Sequence, residues 1–260
     1  MQKKIKAIHQ LHFKENFPGF SSVDTYDTEY GFEPFLVFTE FHMDRPIFGP
    51  HPHAGVSVMT YMLPGSKGSF LNRDSQGDKS TIESGGMHVT QAGSGVKHDE
   101  VPTVNGVDCH GLQIWINHAD KDRLVKPKAY HAMRNEIPEY KSESVLVRVL
   151  QGSYENINAP FELVTKITLL DVHLQSNTSV DLTAGEMAFV YVLSGNMQIG
   201  DATITNSSLI NFESAGAEIK VTAVIGGNFI FASGKPHHEP IVYSGPFVMT
   251  SNEQMTEKKD

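Results

Sequence analysis

An internal repeat is the feature that most limits how this 260-residue chain can fold. Residues 54–65 read AGVSVMTYMLPG and residues 184–195 read AGEMAFVYVLSG, so the same turn and hydrophobic pattern recurs 130 positions later. Further along, residues 92–100 match residues 215–223 at an offset of 123, as loop deletions in the second copy would produce. The repeat predicts two similar domains in tandem.

The chain reads as short strands separated by turns. Segments rich in β-branched and aromatic residues, most of them bounded by Gly, Pro, Asn or Asp, cover residues 56–63, 111–117, 144–150, 189–193 and 228–232. Few helix-length amphipathic windows lie between them, which favours a sandwich or barrel over βαβ units. The predicted fold class is therefore all-β. The charged segment 121–128 is predicted to run along the surface between the two halves.

Composition and charge limit the compartment and the partners. The only cysteine, Cys109, cannot form an internal disulfide, which fits a reducing compartment and excludes a thiolate zinc cluster. No apolar run resembles a secretory signal or is long enough to span a bilayer, so we expect a cytoplasmic protein that does not contact membranes. A net charge of -9 opposes direct docking on nucleic acid.

Two short stretches place metal-binding side chains two positions apart: His51 and His53, and then His98 and Glu100. If both stretches are extended strands, each pair points to one face of a sheet, and three imidazoles and one carboxylate can converge. Such ligands suit Fe(II), Mn(II), Ni(II), Cu(II) or Zn(II) and leave two positions of an octahedral ion open. A closed structural zinc site would more often use thiolates. The motifs therefore predict a redox-active metal site.

The second copy of the repeat lacks these four side chains. In the repeat alignment they fall opposite Asp181, Thr183, Val221 and Ala223. Metal binding of this kind is therefore expected only in the first domain.

Four blocks of sequence resemble the pirin family. They are residues 48–55 (FGPHPHAG), 90–100 (TQAGSGVKHDE), 111–117 (GLQIWIN) and 245–249 (GPFVM). Their order and spacing are similar to those of the family over nearly the whole chain. The resemblance implies a bicupin of two antiparallel β-barrel (jelly-roll) domains packed in tandem. Residues 1–130 would form the metal-binding cupin, and residues 131–260 a cupin-like domain without metal ligands, ending in a C-terminal tail.

The resemblance also implies a function. The family's metal ligands carry over without substitution onto His51, His53, His98 and Glu100, and Fe(II) is the first expectation, with Ni, Mn, Cu or Zn as alternatives. Some pirins are dioxygenases that oxidise the flavonol quercetin, so the expected substrates are dioxygen and a small aromatic or enol-containing compound. Glu100 would then also accept the substrate's proton. Other pirins are transcriptional co-regulators, and the alternative is a non-catalytic, iron-binding redox sensor that acts through protein partners.

Further expectations concern the surroundings of the site. Each imidazole that binds the metal through one ring nitrogen should donate the N–H of its other ring nitrogen to an oxygen, and Asp74 and Gln113 are the candidate acceptors. Trp115 is predicted to pack in the core. His88 stands where the family commonly has Gln, and it either lines the pocket or makes a structural hydrogen bond.

Other positions limit what the resemblance transfers. Ala54 and Ser57 stand where pirins usually have Arg and Glu, so a charge pair near the site is missing. The His237-His238-Glu239 run is predicted to be a surface turn and not a ligand set, because adjacent residues of a strand point to opposite faces and prolines flank the run.

Overall fold

The computed structural model describes residues 1–257 and is built almost wholly of antiparallel strands. In the first half of the chain the strands are β1 (Ile5–Gln10), β2 (Lys14–Phe17), β3 (Phe20–Tyr26), β4 (Phe35–Met43), β5 (His51–His53), β6 (Val56–Met62), β7 (Phe70–Asp74), β8 (Lys79–Ile82), β9 (Met87–Gln91), β10 (Val96–Pro102), β11 (Cys109–Asn117) and β12 (Lys128–Ala132). In the second half they are β13 (Glu139–Lys141), β14 (Val145–Gln151), β15 (Ser153–Tyr154), β16 (Ile157–Asn158), β17 (Ile167–Leu174), β18 (Thr178–Thr183), β19 (Met187–Ile199), β20 (Ala202–Ile204), β21 (Ser208–Phe212), β22 (Glu218–Gly234), β23 (Val242–Ser244) and β24 (Phe247–Met249).

Helices are few and short. They are α1 (Asp27–Tyr30) and α2 (Asn252–Glu257), with single 3-10 turns at Asp120–Asp122 and Arg134–Glu136. No helix among the described residues is long and apolar enough to cross a membrane. The all-β prediction is confirmed, and each of the five segments expected to be strands lies largely within one.

The strands form two compact units whose segments are interleaved along the chain. The first unit contains Phe13–Glu136, Leu163–Thr165 and the segment from His237 onwards. The second unit contains Met1–His12, Ile137–Glu162 and Lys166–Pro236. The domain ranges 1–130 and 131–260 remain a prediction. They do not anticipate that β1 packs in the second unit and that β23 and β24 pack in the first, and residues 258–260 lie outside the described part of the chain.

Two main sheets and the β23-β24 pair build the first unit. One has the order β12-β9-β6-β11-β4-β3-β2 and the other the order β5-β10-β7-β8. Both strands expected from the histidine spacing are present, as β5 and β10, and they pair antiparallel with His98 opposite His51. Gly55 turns the chain between β5 and β6 with φ +78°, and a Cβ at this position would lie 1.8 Å from the carbonyl oxygen of Val248. Glycine is therefore required two residues after His53.

The interior of the second unit is filled by aliphatic side chains. Its strands lie in one nine-stranded sheet, in which the main path runs β1-β21-β19-β22-β17-β14-β13, with β15 and β16 forming a separate pair. Val221 and Ala223, which align with His98 and Glu100, are fully buried in the hydrophobic core, whereas Asp181 and Thr183 are exposed. This unit therefore has an apolar core at positions where the first unit has His98 and Glu100.

Candidate metal centre

Three histidines converge in the first unit. Alternation along β5 puts His51 and His53 on one face, and the pairing with β10 brings His98 beside them. The ring centroids lie 4.9 Å apart for His51 and His53, 4.9 Å for His51 and His98, and 5.0 Å for His53 and His98. One nitrogen from each ring lies within 4.8 Å of the others. The arrangement has the composition of a three-imidazole site for a divalent transition metal.

The hydrogen bonds of the rings leave nitrogens free to bind a cation. Nδ1 of His51 donates to the Gly49 carbonyl at 2.9 Å. Nδ1 of His98 lies 3.3 Å from Oγ1 of Thr90 and 3.4 Å from Oδ1 of Asn72. Nε2 of His98 is buried and has no hydrogen-bond partner among the described residues. A buried, unpartnered imidazole nitrogen costs free energy that a bound metal ion would recover, so the residues present fit a metal.

The oxygens that orient His98 differ from those expected. Nδ2 of Asn72 donates to Asp78 at 2.8 Å, which turns its Oδ1 towards His98. Asp74 instead accepts the backbone N–H groups of Gln76 and Asp78. The expectation that Asp74 is the acceptor is therefore wrong, because its carboxylate stabilises the turn between β7 and β8.

Burial keeps the imidazoles of His53 and His98 neutral in the metal-free protein. Desolvation, aided by the neighbouring rings, lowers the pKa of His53 to about 2 and that of His98 to about 3. Both rings are therefore uncharged near pH 7, with a lone pair available for a metal.

Glu100 lies at the cavity but outside the three-histidine group. Its carboxyl group is buried, and Oγ1 of Thr60 donates to its Oε2 at 2.5 Å. Burial raises the pKa of Glu100 to about 7, while the Thr60 hydrogen bond opposes this rise. A carboxyl group with this pKa exchanges a proton readily at neutral pH. Its role as fourth ligand and as base stays a prediction.

A cavity of about 1050 Å³ opens on His51 and His53. Most of its wall is aromatic or aliphatic, and its aromatic members are Phe17, Phe20, Tyr26, Phe41, Phe48, Phe70, Trp115 and Tyr243. The ring of Trp115 stands edge-to-face to that of His53, with the centroids 4.8 Å apart. Trp115 packs against the apolar cluster that includes Val56 and Val58, as predicted, and it also lines the cavity.

His88 is separate from the cavity wall. It is fully buried, its Nδ1 lies 3.2 Å from Oγ of Ser80, and burial lowers its pKa to about 4. Of the two roles left open by the sequence, these contacts favour the structural hydrogen bond.

A buried arginine lies beside the first histidine motif. Arg123 has no solvent exposure, and its Nη1 donates to the Gly55 carbonyl at 3.1 Å and to Oδ1 of Asn117 at 2.6 Å. Ser57 bonds to Nε2 of His118 at 2.8 Å. The prediction that segment 121–128 lies on the surface is wrong at Arg123, because its guanidinium bonds to the nearby Asn117 and to the carbonyl of Gly55, which is distant in sequence.

The His237-His238-Glu239 run takes no part in the three-histidine group. It lies between strands, where the backbone N–H of His237 donates to Glu33 at 2.7 Å and Glu239 accepts the backbone N–H of Asp120 at 2.6 Å. These bonds anchor an irregular segment between β22 and β23, in which no turn is assigned.

Comparisons with known proteins agree with this geometry. The Pirin family model matches residues 2–116, and the model of the pirin C-terminal cupin domain matches residues 169–260. A pirin-like protein of Arabidopsis thaliana is 33% identical over 280 residues, covering 98% of this chain and 87% of that protein.

Two solved structures share the fold. A quercetin 2,3-dioxygenase from Acinetobacter baumannii superposes with a TM-score of 0.89 at 23% identity, over 99% of this chain and 95% of the other. The nickel(II) complex of the Escherichia coli pirin YhhW gives a TM-score of 0.72 at 18% identity, over 88% of this chain and all (100%) of the other. Both pirin family models match this chain in order, and the Arabidopsis thaliana relative is 33% identical over 98% of it. The chain therefore belongs to the pirin family.

Proposed function

We propose that this protein is a metal-dependent dioxygenase of the quercetin 2,3-dioxygenase type, acting on a small aromatic compound that carries an enol. The observation that carries the proposal is the group of three histidines, two of which line an aromatic cavity large enough for a multi-ring ligand. The name of the Acinetobacter baumannii protein of the same fold supports the substrate class.

His51, His53, His98 and Glu100 would hold one divalent ion, with Fe(II) as the first candidate and Ni, Mn, Cu or Zn as alternatives. The nickel(II) bound to the Escherichia coli pirin supports a transition metal in this family. When bound, a redox-active ion supplies the electron-transfer chemistry with dioxygen that side chains cannot perform.

The side chains around the site would bind the substrate and move its proton. The aromatic walls bind a planar ring system, and Trp115 packed against His53 keeps water from one side of the site. The carboxylate of Glu100 accepts the enol proton, which gives a substrate enolate and a carboxylic acid at Glu100. The hydroxyl of Thr60 holds the carboxyl group in place during this transfer.

The test is oxygen uptake with quercetin. Protein stripped of metal and reloaded separately with Fe(II), Ni(II), Mn(II), Cu(II) or Zn(II) is mixed with quercetin, and dioxygen consumption is followed together with loss of the flavonol. For at least one redox-active ion, we expect one molecule of dioxygen to be consumed for each molecule of quercetin lost. Metal-free protein and His98→Ala should consume no dioxygen. Stoichiometric metal binding without uptake for any ion would refute the proposed activity.

A further inference from the structure

Asp24 places a carboxylate on the otherwise largely apolar wall of the cavity. Oγ of Ser22 donates to its Oδ2 at 2.7 Å, and Oγ1 of Thr39 donates to its Oδ1 at 2.9 Å. Nδ2 of Asn16 in turn donates to Oγ of Ser22 at 2.6 Å. These donors fix the orientation of the carboxylate. Because an ionised carboxylate accepts about four hydrogen bonds, about two acceptor positions remain.

The same residue ends a polar row that crosses the sheet towards the metal centre. Asp24 lies opposite Thr39, Thr39 opposite Gln113, and Gln113 opposite Thr60, whose hydroxyl donates to Glu100. With about 4.8 Å between neighbouring strands, Asp24 and Thr60 lie roughly 14 Å apart along this row. A ligand that contacts both ends is therefore elongated, with more than one ring.

The charges of the cavity wall have one sign. Among the described residues that line it there is no Lys or Arg, whereas Asp24 and Glu100 are both acidic. An acidic, apolar cavity disfavours carboxylated or phosphorylated ligands. It accepts neutral rings, for example against Phe20 and Phe48, whose rings meet edge-to-face with centroids 5.2 Å apart. An apolar ligand end that covers Asp24 leaves its acceptors unpaired, which is unfavourable.

We propose that Asp24 is a second recognition point for the substrate. It binds a hydrogen-bond donor, such as a phenolic hydroxyl, at the end of an elongated aromatic ligand remote from the histidines, and it discriminates against carboxylated aromatics. This inference rests on the proposed function, because it concerns the substrate of the same cavity. It assigns Asp24 to ligand specificity and not to the reacting atoms.

Ligand binding, measured without turnover, tests the proposal. Trp115 is the only tryptophan of the chain and lines the cavity, so its fluorescence reports occupancy. Metal-loaded protein is titrated under nitrogen with quercetin and with 3-hydroxyflavone, which keeps the 3-hydroxy-4-keto group but lacks the other hydroxyls. In Asp24→Asn we expect quercetin to bind about 10- to 100-fold more weakly, because a hydrogen bond to a charged acceptor is lost. Binding of 3-hydroxyflavone should not weaken, because its apolar end makes no hydrogen bond to residue 24.

Controls separate the outcomes. Asp201→Asn, an exposed site in the second unit, should leave both affinities unchanged. Thr39→Val keeps the charge but removes one orienting donor, so it should weaken quercetin binding to a smaller extent, and it decides the question if Asp24→Asn does not fold. Wild-type protein should bind catechol more tightly than 3,4-dihydroxybenzoate, and the ratio of these two affinities should be smaller in Asp24→Asn.

The two proposals fail in different ways. If neither flavonoid binds the wild-type protein, the proposed function is refuted and this inference falls with it. If both bind and the substitutions affect them equally or not at all, the role of Asp24 alone is refuted.

Discussion

Replacing Thr60 with valine should change the acidity of Glu100 and, through it, metal affinity. The substitution keeps the shape of the side chain but removes the hydroxyl that donates to Oε2 of Glu100 at 2.5 Å. A hydrogen bond to a charged group contributes about 1.5–3 kcal/mol. At 1.36 kcal/mol for each pKa unit, its loss should raise the pKa of Glu100 by about 1 to 2 above its value of about 7 in the metal-free protein.

Two measurements check this prediction. The infrared carbonyl band of protonated Glu100, assigned by its absence in Glu100→Gln, should persist to higher pH in Thr60→Val than in wild type. If Glu100 is a ligand, it must ionise to bind the ion, so metal affinity at pH 7 should fall by about 5- to 50-fold and recover as pH rises. Thr60→Ser, which keeps the hydroxyl, is the control. Identical pH dependence of metal affinity in Thr60→Val and wild type would show that this carboxyl group does not join the ion.

Three further predictions concern the metal and the fold. Purified His98→Ala should contain less than a tenth of the metal found in wild type by elemental analysis. The control His12→Ala, which changes an exposed histidine, should contain as much metal as wild type. Equal metal content in the two variants would exclude His98 as a ligand. Because the pKa of Glu100 is raised in the folded protein, its contribution to the free energy of unfolding is complete below about pH 4.5 and is lost as pH rises through about 7. Over this interval, urea unfolding of the metal-free protein should show the free energy of unfolding of wild type falling by up to about 3 kcal/mol relative to that of Glu100→Gln. The same pH dependence in both proteins would contradict the raised pKa. Gly55→Ala should lower the free energy of unfolding by at least about 3 kcal/mol, because the new Cβ meets the Val248 carbonyl. The control Gly65→Ala, with φ +96° and open space around it, should lower it by only about 1–2 kcal/mol. Similar losses in the two variants would show that the backbone moves to relieve the contact between Cβ and the Val248 carbonyl.

The sequence predicted those features that depend on local periodicity. Because His51 and His53 lie two positions apart, they were predicted to lie on the same face of one strand. The turn pattern of the repeat indicated two similar β units. The loss of the histidines in the second copy agrees with the apolar core in which Val221 and Ala223 lie.

Features that depend on distant partners were not predictable in this way. Arg123 is buried only because the Gly55 carbonyl and Asn117 face it, and the acceptors near His98 come from β7 and β9. Asp24 has no motif around it. Its place in the cavity follows from the pairing of β3 with β4, which a single sequence does not reveal.

The interleaving of the two units has a consequence for biosynthesis. β1 leaves the ribosome well before its partner β21, which lies about 200 residues later in the chain. The cavity is completed by Tyr243, Gly245 and Pro246, and the backbone N–H of Val248 bonds to the carbonyl of Ala54 next to the histidines. A nascent chain that has emerged only as far as β12 therefore lacks part of the wall of this cavity. Synthesis must pass Val248 before the cavity can close, so a ribosome stalled earlier exposes apolar surface that chaperones would have to shield.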